Sequence, residues 1–300
     1  MTYVLITPAR NEQDFIELTI KSVVSQSLRP RRWIIVSDGS TDATDEIVKG
    51  YAAQHDWIEL HRMPERTQRD FGGKARCFSC GYERLKGLEF DLVGNLDADI
   101  TFDGGYYEFL LSKFVANPEL GIGGTPFTEG NESYDFRFSS IEHVSGACQM
   151  FRRQCYEAIG GYRPLKCGGI DVVAVLTARM KGWQTRTFPE KVCVHHRAMG
   201  TATANHFSSS FRLGQKDYLL GRHPLWQMFR SVYQMKHKPL FIGGSTLMMG
   251  YVWAALKRME RPVPREVIAF QRTEQMQRLR KFLSTLIGAG GRPQNVKVSL

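Results

Sequence analysis

Residues 3–48 read YVLITPARNEQDFIELTIKSVVSQSLRPRRWIIVSDGSTDATDEIV, and the fold turns on how this stretch alternates. A short β-rich apolar run, YVLIT, ends at Pro8. Phe15, Leu18, Ile20, Val23 and Val24 then fall at mostly helical intervals. WIIVS is a second strand, closed by the polar turn DGST, with Thr41 or Asp42 placed to cap the helix that follows. The pattern continues outward: WIELHR is a third strand, GGKARCFSCGYERLKG a third helix and FDLVGNLDADI a fourth strand. Strand and helix alternating with short links predict an α/β chain whose mostly parallel sheet is covered on both faces. Ligands of such sheets bind at the carboxyl ends of the strands. TPARNE, SDGSTD and LDADI all lie at those ends, which predicts one site.

Beyond residue 101 the alternation loosens. GGYYEFLLSKFVANPELG reads as a helix and GIGGTPFTEG as a strand and loop. Residues 139–188 read as a strand, a short helix, a Gly-rich turn, a further helix and a strand, and KVCVHHRAMGT carries the last strand signal. From 206 the chain turns basic and helical, which divides it into an α/β domain, 1–205, and a helical region, 206–300.

Charge makes the same division. Of the net +10, residues 212–300 hold 16 Lys and Arg against 4 Asp and Glu, while the first 211 residues come to −2. A basic tail on a nearly neutral body points to a polyanionic surface, either nucleic acid or anionic lipid. Residues 239–256, PLFIGGSTLMMGYVWAAL, carry no charge and are flanked by Lys236, Lys238, Lys257 and Arg258. Two placements fit: a buried core helix, or a helix lying in or dipping into a membrane with its basic flanks at anionic headgroups. The balance leans to the membrane, and the following amphipathic stretch with its basic face suits the same surface. MTYVLITPARNE has no basic leader before an apolar run, so a secretory signal is not expected. The six cysteines include one CxxC, Cys77 and Cys80, without the second pair a zinc site would want, and they read as packed thiols.

The chemistry-bearing residues sit at the strand ends. Asp38 can accept hydrogen bonds from a nucleobase N–H or a ribose hydroxyl, and Gly39 lets the backbone turn tightly beside it. Taken alone, DGSTD is better explained by an Asx turn capping the next helix. Gly72 and Gly73 allow close backbone approach and Lys74 a phosphate or base contact, without the spacing of a P-loop. Asp97 and Asp99, two apart in extended backbone, point the same way and suit Mg²⁺ or Mn²⁺ completed by substrate phosphates. Asp171 follows a Gly-rich turn at the start of a helix, as a cap or as a general base. His195 and His196 are strand neighbours that face opposite sides, so at most one reaches a metal or phosphate.

Taken in order, TPARNE, WIIVSDGSTDATDEIV, GGKA, LDADI, SGACQMFRRQCYEAIGGY with GGID, and VHHR resemble the family 2 glycosyltransferases of GT-A (Rossmann-like) fold. The resemblance spans about residues 3–197. It implies a nucleotide-diphosphate sugar donor, a hydroxyl acceptor and inverting transfer with Mg²⁺ or Mn²⁺. Position by position it places Pro8, Ala9, Arg10 and Glu12 in the nucleotide pocket, Asp38 and Gly39 at the base, and Lys74 nearby. Asp97 falls on ribose or metal, Asp99 on the metal, Asp171 on the catalytic base and His195 on a metal or phosphate contact. Ile170 stands where many relatives have Glu before the base, and the QxxRW motif of processive synthases is absent, which favours single addition. The apolar, basic tail is similar to that of bacterial members acting on lipid-linked glycans at the cytoplasmic face of the membrane, in polysaccharide or cell-envelope biosynthesis. Two other readings stay open. A nucleotidyltransferase would use a similar sheet and metal carboxylates, but the Gly-rich N-terminal signature is missing. A nucleic-acid-binding protein would use the basic tail, but the body lacks basic–aromatic interleaving, so no nucleic-acid partner is expected.

Overall fold

The computed structural model describes residues 1–65, 72–129, 140–197, 206–235 and 241–288. The chain divides into two compact units, Met1–Ala202 and Thr203–Leu300.

The first unit runs β1 (Tyr3–Ala9), α1 (Ile16–Val24), β2 (Arg32–Ser37), α2 (Thr44–Ala52), β3 (Ile58–Arg62), α3 (Gly72–Glu83) and β4 (Leu92–Leu96). It continues with β5 (Ile100–Thr101), α4 (Tyr106–Ala116), β6 (Leu120–Gly124), β7 (Phe127–Thr128), β8 (Cys148–Arg152), α5 (Arg153–Ile159), α6 (Ile170–Met180), β9 (Gln184–Thr187) and β10 (Cys193–His195). The strands form a seven-stranded sheet in the order β3-β2-β1-β4-β8-β6-β9 and a small sheet in the order β5-β10-β7. The second unit holds α7 (His206–Leu219), α8 (Pro224–Gln234), α9 (Ile242–Leu256) and α10 (Arg265–Gly288).

Val4, Leu5 and Ile6 of β1 and Trp33, Ile34, Ile35 and Val36 of β2 are fully buried. Such continuous apolar runs form because helices cover both faces of the sheet. One face packs Tyr3, Leu5, Ile20, Trp33, Tyr106, Tyr107 and Phe114 into a single core. The Trp33 indole N–H, which burial would otherwise orphan, donates to Thr7 Oγ1 at 2.9 Å. Helix α2 begins at Thr44, and Asp42 serves its N-terminus by accepting the Thr44 N–H on Oδ1 at 3.0 Å.

Strand β8 is the departure from simple alternation. It runs antiparallel to both neighbours, pairing Leu96 with Cys148 and Gly124 with Gln149. A parallel neighbour to β4 would have to begin at the opposite end of the sheet. By entering antiparallel, β8 brings residues 145–147 to the carboxyl end of β4, where the Asp97 N–H donates to Ala147 O at 2.9 Å. The β6–β8 contact leaves no room at Gly124, where a Cβ would stand 2.7 Å from both Cys148 O and Val144 Cγ1. Because the first of these is backbone, Gly124→Ala must shift a strand, and we expect it to cost about 1–3 kcal/mol in denaturant unfolding. Unchanged stability would show that the β6–β8 edge yields freely.

Candidate active site

The ends of β1, β2 and β4 form the floor. Beyond β1, Asn11 takes the left-handed backbone at φ 55° and accepts the Thr41 N–H on Oδ1 at 2.9 Å, tying the first strand-end loop to the second. Arg10 Nη1 lies 3.7 Å from Asp38 Oδ2, and the Asp38 N–H donates to Ala9 O at 2.8 Å. Pro8, Ala9, Arg10, Asp38 and Gly39 therefore share one rim. The backbone turns through Gly39 at φ +68°, where a Cβ would meet Glu65 Cα at 2.9 Å. Glu12 Oε2 receives a hydrogen bond from Arg197, which draws the β1 loop and the end of β10 together.

Two carboxylates stand at the end of β4, each with its own cation. Lys74, on the first turn of α3, reaches Asp97 Oδ1 at 2.5 Å and donates to Gly146 O at 2.8 Å. Burial and the neighbouring Asp99 raise the Asp97 pKa, with Lys74 opposing them. Asp99 Oδ2 lies 3.3 Å from His195 Nε2 and 3.9 Å from Arg197 Nε. The small sheet makes this contact by pairing His195 with Ile100 in antiparallel register. His196 points elsewhere, to Thr101 Oγ1 at 2.9 Å and onto the Phe15 ring.

Glu129, immediately after β7, meets the other side of the imidazole, with Oε1 at 2.7 Å from His195 Nδ1. Burial disfavours the charged ring, but the hydrogen bonds and charges of Asp99 and Glu129 outweigh it and push the His195 pKa up to about 9. A raised folded-state pKa contributes stability that is fully present below the unfolded value of about 6.5 and is lost as pH rises through about 9. The gap in unfolding free energy between the native chain and His195→Gln should therefore shrink from pH 6.5 to 9.5. A gap that stays constant across that range would show the imidazole to be neutral throughout.

Gly146 joins the remaining group. Its N–H donates to Asp171 Oδ2 at 3.3 Å while its carbonyl accepts from Lys74, and also from Asn95 Nδ2 at 2.5 Å. A Cβ at 146 would stand 2.9 Å from Asp171 Cβ. Asp171 lies in the first turn of α6, two residues after its N-cap Gly169 at φ 84°. One backbone unit thus links Asp171 to Lys74 and, through it, to Asp97. Sequence reading missed both Glu129 and Gly146. Glu129 was legible as an acidic residue in a strand-end loop, whereas the role of Gly146 lies in its peptide group and has no side-chain signature.

Among the described residues, no three His, Cys, Asp or Glu side chains are arranged to hold a metal ion by themselves. The donors nevertheless fit a hard divalent cation that arrives with phosphate, since Mg²⁺ and Mn²⁺ sites commonly use one or two carboxylates plus substrate oxygens. Asp97 and Asp99 supply the two carboxylates, and the charge of Asp99 acts to raise the Asp97 pKa.

The model of glycosyl transferase family 2 matches residues 4–169. Poly-beta-1,6-N-acetyl-D-glucosamine synthase of Staphylococcus epidermidis is 29% identical over 140 residues, covering 45% of this chain and 31% of the relative. The synthase of Staphylococcus aureus (strain MSSA476) is 29% identical over 136 residues with the same shares. The chain spans about a third of the length of these curated relatives. Among solved structures, the mannosyltransferase PcManGT from Pyrobaculum calidifontis, in complex with GDP-Man and Mn²⁺, superposes with a TM-score of 0.56 at 20% identity, over 95% of this chain and 83% of that one. S. aureus TarS 1–349 in complex with UDP-GlcNAc gives 0.52 at 13% identity, over 95% and 81%. These likenesses establish the GT-A, Rossmann-like fold. With more than half of the chain matched by the family model, the strand-end carboxylates belong to an enzyme: the chain is a glycosyltransferase, a member of glycosyl transferase family 2.

Proposed function

We propose that the enzyme transfers a sugar from a nucleotide-diphosphate sugar to a hydroxyl acceptor, with inversion and with Mg²⁺ or Mn²⁺. The observation that carries this reading is the Gly146 link, which sets Asp171 beside the Lys74–Asp97 pair at the carboxyl edge of the sheet. Pro8, Ala9, Arg10, Glu12, Asp38 and Gly39 line the nucleotide side of the site. Asp97 and Asp99 would hold the cation, which when bound neutralises charge on the leaving diphosphate. His195, oriented by Glu129, would meet the phosphates as a cation or, once it gives up its proton, the metal. Asp171 takes the acceptor hydroxyl proton as that oxygen bonds to the anomeric carbon. The bond to the diphosphate oxygen breaks with its electron pair on the leaving group, and a single displacement inverts the anomeric centre.

Solved neighbours bound to GDP-Man with Mn²⁺ and to UDP-GlcNAc support the donor class, and the synthase relatives support a role in polysaccharide or cell-envelope assembly. We extend the reading to a lipid-linked glycan acceptor and to an anionic membrane at the cytoplasmic face, which the basic helical unit suits. The test is thermal stability with UDP, GDP, dTDP and CDP, each with Mn²⁺ or with EDTA. A nucleotide at 100 times its Kd should add about 2.7 kcal/mol, and only with the metal. No shift with any nucleotide, in folded protein, would overturn the donor site. Retention of anomeric configuration in the product would overturn Asp171 as a simple base.

A further inference from the structure

Parts of the helical unit turn polar side chains inward and apolar ones outward, beside an apolar interior of Leu247, Tyr251, Ala254, Val263 and Val267. On α8, Gln227 and Ser231 are 0% and 1% exposed, whereas Leu225, Met228 and Val232 are 49%, 52% and 53% exposed. On α10, Gln271 and Gln275 are buried while Phe282 and Leu283 are exposed. Both amide atoms of Gln227, the Ser231 hydroxyl and the Gln271 carbonyl oxygen are buried with no hydrogen-bond partner among the described residues. In water this arrangement is the wrong way round, because polar burial costs and apolar burial drives folding. Glycines let the helices approach: a Cβ at Gly244 would stand 2.2 Å from Ser231 O, and one at Gly250 would stand 2.0 Å from Phe211 O. Small residues at the contact, polar side chains between helices and apolar side chains outside are the way helices pack in lipid, where no hydrophobic force draws them together.

The outward face of α9 says how the lipid is met. Ile242, Met249, Val252, Trp253 and Leu256 recur along one side of the helix, with Leu256 76% exposed. Exposed Lys257 and Arg258 follow directly, and Lys257 Nζ sits 5.0 Å above the Trp253 ring. Trp rings and snorkelling Lys stems take this arrangement at the headgroup level of a bilayer. Fifteen residues extend about 22 Å, against a hydrocarbon core of about 30 Å. Among the described residues no helix is long and apolar enough to cross a membrane. A second copy of the chain fits this face poorly, because residues 203–300 carry 16 basic and only 4 acidic residues and like charges would meet across the contact.

We infer that α9 lies in the plane of an anionic bilayer, with Met249, Val252, Trp253 and Leu256 inserted in one leaflet and Lys257 and Arg258 at its phosphates. This rests on the membrane partner proposed above and deepens it from a surface contact to insertion. The test uses the full chain with phosphatidylcholine vesicles, with and without phosphatidylglycerol, some carrying brominated acyl chains. Expected are co-sedimentation with the anionic vesicles that persists in molar salt, and bromine quenching that is lost in Trp253→Phe. Binding should weaken at least about tenfold in the double variant Met249→Glu, Leu256→Glu, because apolar contact area is lost. Lys257→Glu with Arg258→Glu should weaken binding to anionic vesicles alone. Complete release by salt without quenching would reduce the contact to electrostatic adsorption and overturn insertion. Absence of binding, or a dimer in light scattering that Leu256→Glu dissolves, would overturn it as well. The nucleotide and Mn²⁺ thermal shift, run on the same preparations, separates this outcome from failure of the donor reading, since neither depends on the other's residues.

Discussion

Asp171→Asn should lower turnover by about 10²–10⁴-fold while leaving nucleotide affinity unchanged. The size follows from the role: a positioned base in the transition state contributes that range, and an amide cannot take the proton. The selectivity follows from geometry. Asp171 touches the site through Gly146 N–H at 3.3 Å, and the Asn carbonyl oxygen can accept the same hydrogen bond. The loop that presents Gly146 O to Lys74 therefore keeps its place, and so does the Lys74–Asp97 pair. The check is kcat with donor and acceptor, alongside the metal-dependent thermal shift. Turnover within threefold of native would remove Asp171 from the chemistry. Parallel loss of nucleotide binding would make it a structural residue of the loop.

The second large effect is expected at Asp99. Asp99→Asn should abolish the metal-dependent part of nucleotide binding, so that about 2.7 kcal/mol of stabilisation at 100 times the native Kd falls to the value seen in EDTA. The fold should survive. Removing one partner of a buried ion pair is costly when the other is left alone, but here each cation keeps a second carboxylate: His195 keeps Glu129 at 2.7 Å, and Arg197 keeps Glu12. The structure thus separates a ligand defect from a folding defect. Denaturant unfolding of the free variant, set against its Mn²⁺ response, makes the comparison. A variant that still responds to Mn²⁺ as the native enzyme does would place the ion elsewhere.

The strand-end loops TPARNE, SDGSTD and LDADI were legible as neighbours on one edge because the alternation of apolar runs and helical intervals reports a parallel sheet, and such a sheet places those loops together. Asp97 and Asp99 were legible as carboxylates at a strand end, but the extended backbone expected to align them is a turn at Ala98 and Asp99, beyond the end of β4 at Leu96. Other features were not. The direction of β8 leaves no mark in its composition, since CQMFR would serve a parallel or an antiparallel strand. Its consequence, Gly146 at the centre of the site, depends on backbone groups that every residue carries. Glu129 sits 66 residues from His195 along the chain, and only the pairing of β10 with β7 brings them together. The inverted polarity of α8 is likewise invisible in a helical pattern, because periodicity shows two faces without saying which one is turned to the protein.

What the amino-acid sequence determined by itself was local and periodic: which segments are strands and helices, which loops share an edge, and which carboxylates that edge carries. What only the tertiary structure decided was pairing, namely which cation neutralises which aspartate, which peptide joins Asp171 to Lys74, and which side of the terminal helices is left outside. The physical reason is range. Propensity and hydrophobic period act within a few residues, whereas a hydrogen bond, an ion pair or a buried face is defined by a partner that the chain reaches only by folding.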